Sequence, residues 1–76
     1  MGKRSSKYDK VFCKKFGKNI TTIRKTLGIS QEELAFRANI SPSYMSAIER
    51  GITDTTLSTA KRLSKGLKTT IKELLP

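Results

Sequence analysis

The chain has no histidine, a single cysteine (Cys13), two prolines, and six acidic residues against sixteen lysines and arginines. Each scarcity excludes something. Without histidine, a Ser-His or Cys-His nucleophile cannot be assembled, and the commonest general acid–base side chain is missing. One thiol closes no intrachain disulfide and, with no histidine beside it, starts no zinc site. A reducing compartment, the cytoplasm, is therefore expected. The six carboxylates stand singly or on helical faces, so no enzyme, cofactor or metal is expected. The apolar runs are only a few residues long, "VFC" among them, so nothing reads as a bilayer span. The basic start "MGKRSSKYDK" has no apolar stretch behind it to make a signal peptide.

What the chain has is positive charge. A formal charge of +10 on 76 residues favours a polyanionic partner. That length suits one small domain, which buries only about 60–65% of its unfolded surface and so has a thin core. Residues 1–8 read as a loose basic arm and 9–76 as the domain.

Apolar residues then recur at Phe12, Phe16, Ile20, Ile23 and Leu27, one face of an α-helix that Gly28 ends. In "SQEELAFRA", Ser30 followed three residues later by Glu33 is a capping box, so a second helix starts at Gln31. Leu34, Ala35 and Ala38 make its inner face. Asn39, which tolerates the left-handed conformation, ends it. In "SPSYMSAIERG", Ser41 is a natural N-cap and Pro42 falls at the first helical position, where a missing N–H costs nothing. The proline starts a third helix, with Met45 and Ile48 inward and Gly51 closing it. After the turn-rich "ITDTT", Thr55 or Thr56 can cap a fourth helix with Leu57, Ala60, Leu63 and Leu67 apolar. Thr69 or Thr70 can cap a last short one carrying Ile71, Leu74 and Leu75. The expectation is an all-α fold of five helices with short connections. Its second and third helices are too short to lie side by side, and small Ala35 and Ala38 favour a close, steep crossing, the helix-turn-helix arrangement.

The stretch "GISQEELAFRANISPSYMSAIERG" resembles the helix-turn-helix of the Cro/CI-type, or xenobiotic-response-element-like, regulators. "FGKNITTIRKTLG" looks like that family's first helix and "TLSTAKRLSKGLKTTIKELL" like its last two. The likeness covers about residues 12–75. Within the family, "SYMSAIERG" after "EELAFRANI" looks most like the small controller proteins of restriction–modification systems. Three features depart from the pattern: Asn39 where glycine is usual, Phe36 where a small or polar residue is common, and "ITDTT" in place of a more basic loop.

The resemblance implies a five-helix, lambda-repressor-like DNA-binding domain with its third helix in the major groove of double-stranded DNA. Base-reading positions map onto Ser41, Pro42, Ser43 and Ala47, with Tyr44 beside them. Serine discriminates bases weakly, whereas alanine and proline pack on a thymine methyl. Phosphate contacts map onto Gln31 and Arg50, with Arg37, Ser46 and Thr53 as further candidates. An ion pair between Arg24 and Glu49 is implied as structural, and Glu32 as an RNA polymerase contact. With so few long donors at the front of the helix, specificity is expected to rest partly on DNA shape and on symmetry, hence a homodimer on a palindromic operator. Leu67, Ile71, Leu74 and Leu75 are the expected interface, because a core of this size is not expected to cover them all. Phe12, Phe16, Ile20, Leu27, Leu34, Met45, Ile48 and Leu63 are assigned to the core. The lysines between positions 3 and 18 read as a solvated face or a DNA-embracing arm.

A sequence-specific transcription regulator is the leading reading. Its rivals are the DNA-binding antitoxin of a toxin–antitoxin pair and a basic protein that binds any nucleic acid alike.

Overall fold

The computed structural model describes residues 9–76, so the basic arm expected at residues 1–8 lies outside the described residues. Five helices follow in order: α1 (Lys10–Leu27), α2 (Gln31–Ala38), α3 (Pro42–Arg50), α4 (Leu57–Gly66) and α5 (Ile71–Leu74). No strand occurs among the described residues.

Each start has a side-chain cap. Asp9, Ser30, Ser41, Thr56 and Thr70 accept hydrogen bonds from the backbone N–H of Phe12, Glu33, Tyr44, Thr59 and Glu73. These bonds satisfy donors that the first helical turn leaves free. The capping box at Ser30 is half made: Glu33 turns to Arg37 at 2.9 Å. The turn between α2 and α3 needs a left-handed residue, and Asn39 supplies it at φ 57°. With Ile40 and Ser41 it completes a connection short enough to hold the two helices against each other.

α1 packs on α3 and α5, α2 on α3 and α4, and α4 on α5. One core joins them, built from Phe16, Ile20, Leu34, Met45, Ile48, Leu63, Leu67 and Leu74, with Ala35 and Ala38 where α2 meets its neighbours. Asn19 donates to the carbonyls of Leu74 and Leu75, tying α5 to α1. Arg62 donates to Ala38 O at 2.8 Å, satisfying a carbonyl at the end of α2.

Several expectations about the apolar residues are corrected. Phe12, Leu27 and Leu57 are 43%, 40% and 81% exposed, so none belongs to the core. Leu67 and Leu74, expected at a dimer interface, are 2% and 0% exposed. The closure of α5 onto α1 and α4 spends them on the protomer's own interior. Ile71 is half-buried and Leu75 remains exposed.

Candidate nucleic-acid interface

α3 presents the candidate reading surface. Its buried residues, Met45 and Ile48, lie on the side facing the core, and the opposite side carries Pro42, Ser43, Ser46, Ala47 and Arg50. Ser41, Pro42, Ser43 and Arg50 are exposed, while Ser46 and Ala47 are half-buried. Ser41 Oγ already accepts from Tyr44 N at 3.0 Å, which leaves its hydroxyl proton as the group it can offer outward. The face is short-chained as far as Ala47, and its one cation is Arg50, whose Nε lies 3.4 Å from Ser46 O.

Tyr44 is placed differently from the expectation of a base contact. It is half-buried, and its hydroxyl donates to Asp54 O at 3.3 Å. The ring therefore braces the loop after α3. Thr53 is half-buried in that loop. The Asp54 carboxylate lies 3.7 Å from Cys13 Sγ, turned toward α1. Burial raises the Cys13 pKa, and the Asp54 charge and hydrogen bond push it the same way, so the thiol stays protonated.

Arg37 does not sit as a free phosphate-binding cation. Its Nε donates to Glu33 at 2.9 Å and its Nη1 to Gly66 O at 3.0 Å, so the guanidinium clamps α2 to the end of α4. Gln31 stands at the first turn of α2 with its Nε2 donating to Glu49 Oε1 at 3.0 Å. That bond fixes the amide and leaves its second hydrogen and its oxygen for another partner.

Behind this candidate surface lies a largely buried polar knot. Arg24 donates through Nε to Glu49 Oε2 at 2.7 Å, through Nη2 to Oε1 at 3.2 Å, and through Nη1 to Ile29 O at 2.9 Å. One guanidinium thus joins α1, the approach to α2, and α3. Burial pushes the Glu49 carboxyl up, but hydrogen bonds from Arg24, Gln31 and Thr21 and the Arg24 charge outweigh it, and its pKa is lowered. Glu49 is therefore an anion whose charge Arg24 offsets.

Two glycines set the distance between α1 and α3: Gly51, expected as the end of α3, and Gly17, which the sequence reading gave no role. A Cβ on Gly17 would collide with the carbonyl oxygens of Ile48 and Glu49. One on Gly51, which also needs its φ of 72°, would lie 2.6 Å from Lys14 Cα. The available signal for Gly17 was a glycine in the middle of a strongly periodic helix, which costs stability unless close packing requires it. Among the described residues, no cluster of His, Cys, Asp or Glu could hold a metal ion, and no helix is long and apolar enough to cross a membrane.

Away from α3, an apolar groove of about 130 Å³ runs between the start of α1, the start of α4 and α5. Phe12, Leu57, Ile71 and Leu75 are among its lining.

A family model described as "Helix-turn-helix" matches residues 20–74. The chain is 38% identical over 61 residues to the control protein C.BamHI of Bacillus amyloliquefaciens, a match that covers 79% of this chain and 75% of that protein. It is 34% identical over 59 residues to the uncharacterized HTH-type transcriptional regulator y4dJ of Sinorhizobium fredii, covering 78% of this chain and 77% of that protein. Among solved structures it is similar to the restriction-modification controller protein C.AhdI of Aeromonas hydrophila. That likeness has a TM-score of 0.81 and 33% identity, and covers 83% of this chain and 96% of the other.

Proposed function

This chain belongs to the helix-turn-helix family whose model spans residues 20–74, it is a DNA-binding transcriptional regulator, and we propose that it is the controller protein of a restriction–modification system. The observation that carries the proposal is the agreement of two kinds of likeness. The C.BamHI control protein matches in sequence over most of both chains, and the C.AhdI controller matches in shape over nearly all of its length. The role is binding, not catalysis, and its place is the cytoplasm.

On this reading α3 enters the major groove of double-stranded DNA. Ser41, Pro42, Ser43 and Ala47 meet the base edges, and Arg50, Gln31, Ser46 and Thr53 meet phosphates. Serine hydroxyls and small apolar groups distinguish fewer base pairs than a bidentate side chain does. The remaining discrimination comes from DNA shape and from two half-sites read together. The protein therefore acts as a homodimer on a palindromic operator, by way of its apolar groove. The exposed side chains of Phe12, Leu57 and Leu75 surround half-buried Ile71 there, and burying them against a second copy removes apolar area from water. Contact with RNA polymerase falls to exposed Glu32 on α2.

Competition binding tests the proposal. Labelled DNA from upstream of the protein's own reading frame is bound, then challenged with the same DNA or with random duplex. The expected result is displacement by the specific competitor at concentrations at least a thousand-fold lower, on the order of the usual specific-to-non-specific ratio. Equal competition would identify a general nucleic-acid-binding protein and end the regulator reading.

A further inference from the structure

We propose that α1 carries a second phosphate-binding surface, a lysine strip made by Lys14, Lys18 and Lys25 that continues the path of Arg50 along the edge of the reading helix. The inference rests on α3 being the helix that enters the groove, and it adds contacts from a helix that the reading above uses only as support.

The placement follows from the packing. α3 ends against α1: Gly51 touches the backbone of Lys14, and Gly17 lies directly against the last turn of α3. Further along α1, Arg24 reaches Glu49. One edge of α1, from residue 14 to residue 24, therefore borders α3. A helix advances about 100° per residue, so Lys14, Lys18 and Lys25 fall within about 40° of one another. Gly17, against α3, lies on the same side of the helix, next to that arc. The opposite edge of α1 is the one that faces α5, through Asn19. The strip therefore flanks the reading helix on the far side of α1 from the apolar groove.

The charge is available. Lys14, Lys18 and Lys25 are all exposed, and the ion pairs among the described residues are Arg24–Glu49 and Arg37–Glu33. The Glu49 carboxylate on the facing helix is already paired with Arg24. Arg50 precedes Gly51, which meets the Lys14 backbone, so the chain at Arg50 lies next to the Lys14 end of the strip. A row of unpaired ammonium groups beside a helix lying in the major groove suits the phosphates that border that groove. Such contacts position the protein and carry no sequence information.

Lysine-to-glutamine changes and salt titration test the proposal on the full chain. K14Q/K18Q removes two phosphate contacts, and the plot of log affinity against log salt becomes shallower by about 1.8. Adding K25Q takes away about 0.9 more. The loss is the same on upstream DNA and on random duplex. The control is K61Q/K65Q, which removes equal charge from exposed positions of α4, a helix that packs on α2 and α5. Its slope stays within about 0.3 of the unmodified protein, since no condensed counterion is released there. K14R/K18R retains the steep slope, and thermal unfolding of every variant stays within a few degrees. An equal effect of the α1 and α4 pairs, or an unchanged slope in K14Q/K18Q, overturns the strip. The slopes are measured on random DNA too, so they report on the strip even if upstream DNA proves to have no advantage.

Discussion

Replacing Gly17 with alanine should destabilise the protein, against the usual sign of that substitution in a helix. Glycine inside a helix is worse than alanine by about 0.8–1 kcal/mol, so propensity alone predicts a gain. Here the new methyl group meets the carbonyl oxygens of Ile48 and Glu49, the second at 2.6 Å, and the Glu49 carbonyl carbon at 3.0 Å. Neither obstacle is the movable end of a side chain, so relief requires α1 and α3 to separate. Forcing an extra carbon into a packed contact costs roughly 1–3 kcal/mol, and a backbone obstacle belongs at the upper end. Setting about 3 against about 1 leaves a net loss near 2 kcal/mol. For a domain of this size that lowers the Tm by roughly 8–16 °C. Thermal and urea unfolding followed by circular dichroism at 222 nm would measure it. The same displacement moves α3 relative to α1, so DNA affinity falls beyond the change in folded fraction. A Gly17→Ala variant more stable than the parent would show that the two helices do not meet as described, and would remove the geometric basis of the lysine strip.

Other consequences can be measured alongside. The Glu49 pKa is lowered in the fold, so its contribution to stability is complete above the unfolded carboxylate value, about 4.3, and is lost as pH falls through the folded value below it. Urea midpoints recorded from pH 7 down to pH 3 should fall steeply for the parent and less steeply for Glu49→Gln, which starts from a lower plateau; parallel curves would count against the coupling. Leu74→Glu puts a charge where the side chain is fully buried, and it should abolish the cooperative transition rather than yield folded monomers. Leu57→Glu and Leu75→Glu alter exposed rims of the groove, and should give folded monomers by sedimentation; dimers that persist in both would exclude the groove as interface. Arg37→Met should lose about 1–3 kcal/mol of stability through the Gly66 carbonyl left without its charged donor, while leaving the salt slope unchanged. A slope shallower by about one would return Arg37 to the phosphate contacts.

The helix ends were legible because caps are local. Ser30, Ser41 with Pro42, and Asn39 each act within a few residues of themselves, and the boundaries they imply are the ones observed. Burial was legible only in part, because periodicity reports which residues share a face and not how much of that face a neighbour covers. Phe12 and Leu57 lie on apolar stripes and yet are 43% and 81% exposed. Leu67 and Leu74 went the other way, since a four-residue α5 buries its leucine only by folding back over α1 and α4. Arg37 read as a spare cation because its acceptor, Gly66 O, is 29 residues away in sequence. Arg24 with Glu49 was implied by family likeness, and the geometry adds Gln31 and the Ile29 carbonyl to that pair. Gly17 mattered most and was passed over, because the need for a missing side chain appears only when the facing helix is in place.

The central claim is that a helix with short side chains at its front, presented twice by a symmetric pair, reads a defined DNA site. Selection from a randomised duplex library tests it most directly, run in parallel with the parent protein and with Ala47→Gln, whose new amide can pair bidentately with adenine. The account predicts a two-fold symmetric consensus with half-sites about 34 Å apart, and in the variant a changed preference at one symmetry-related pair of positions alone. A parent that enriches no consensus, or a variant whose consensus is identical to the parent's, would contradict it.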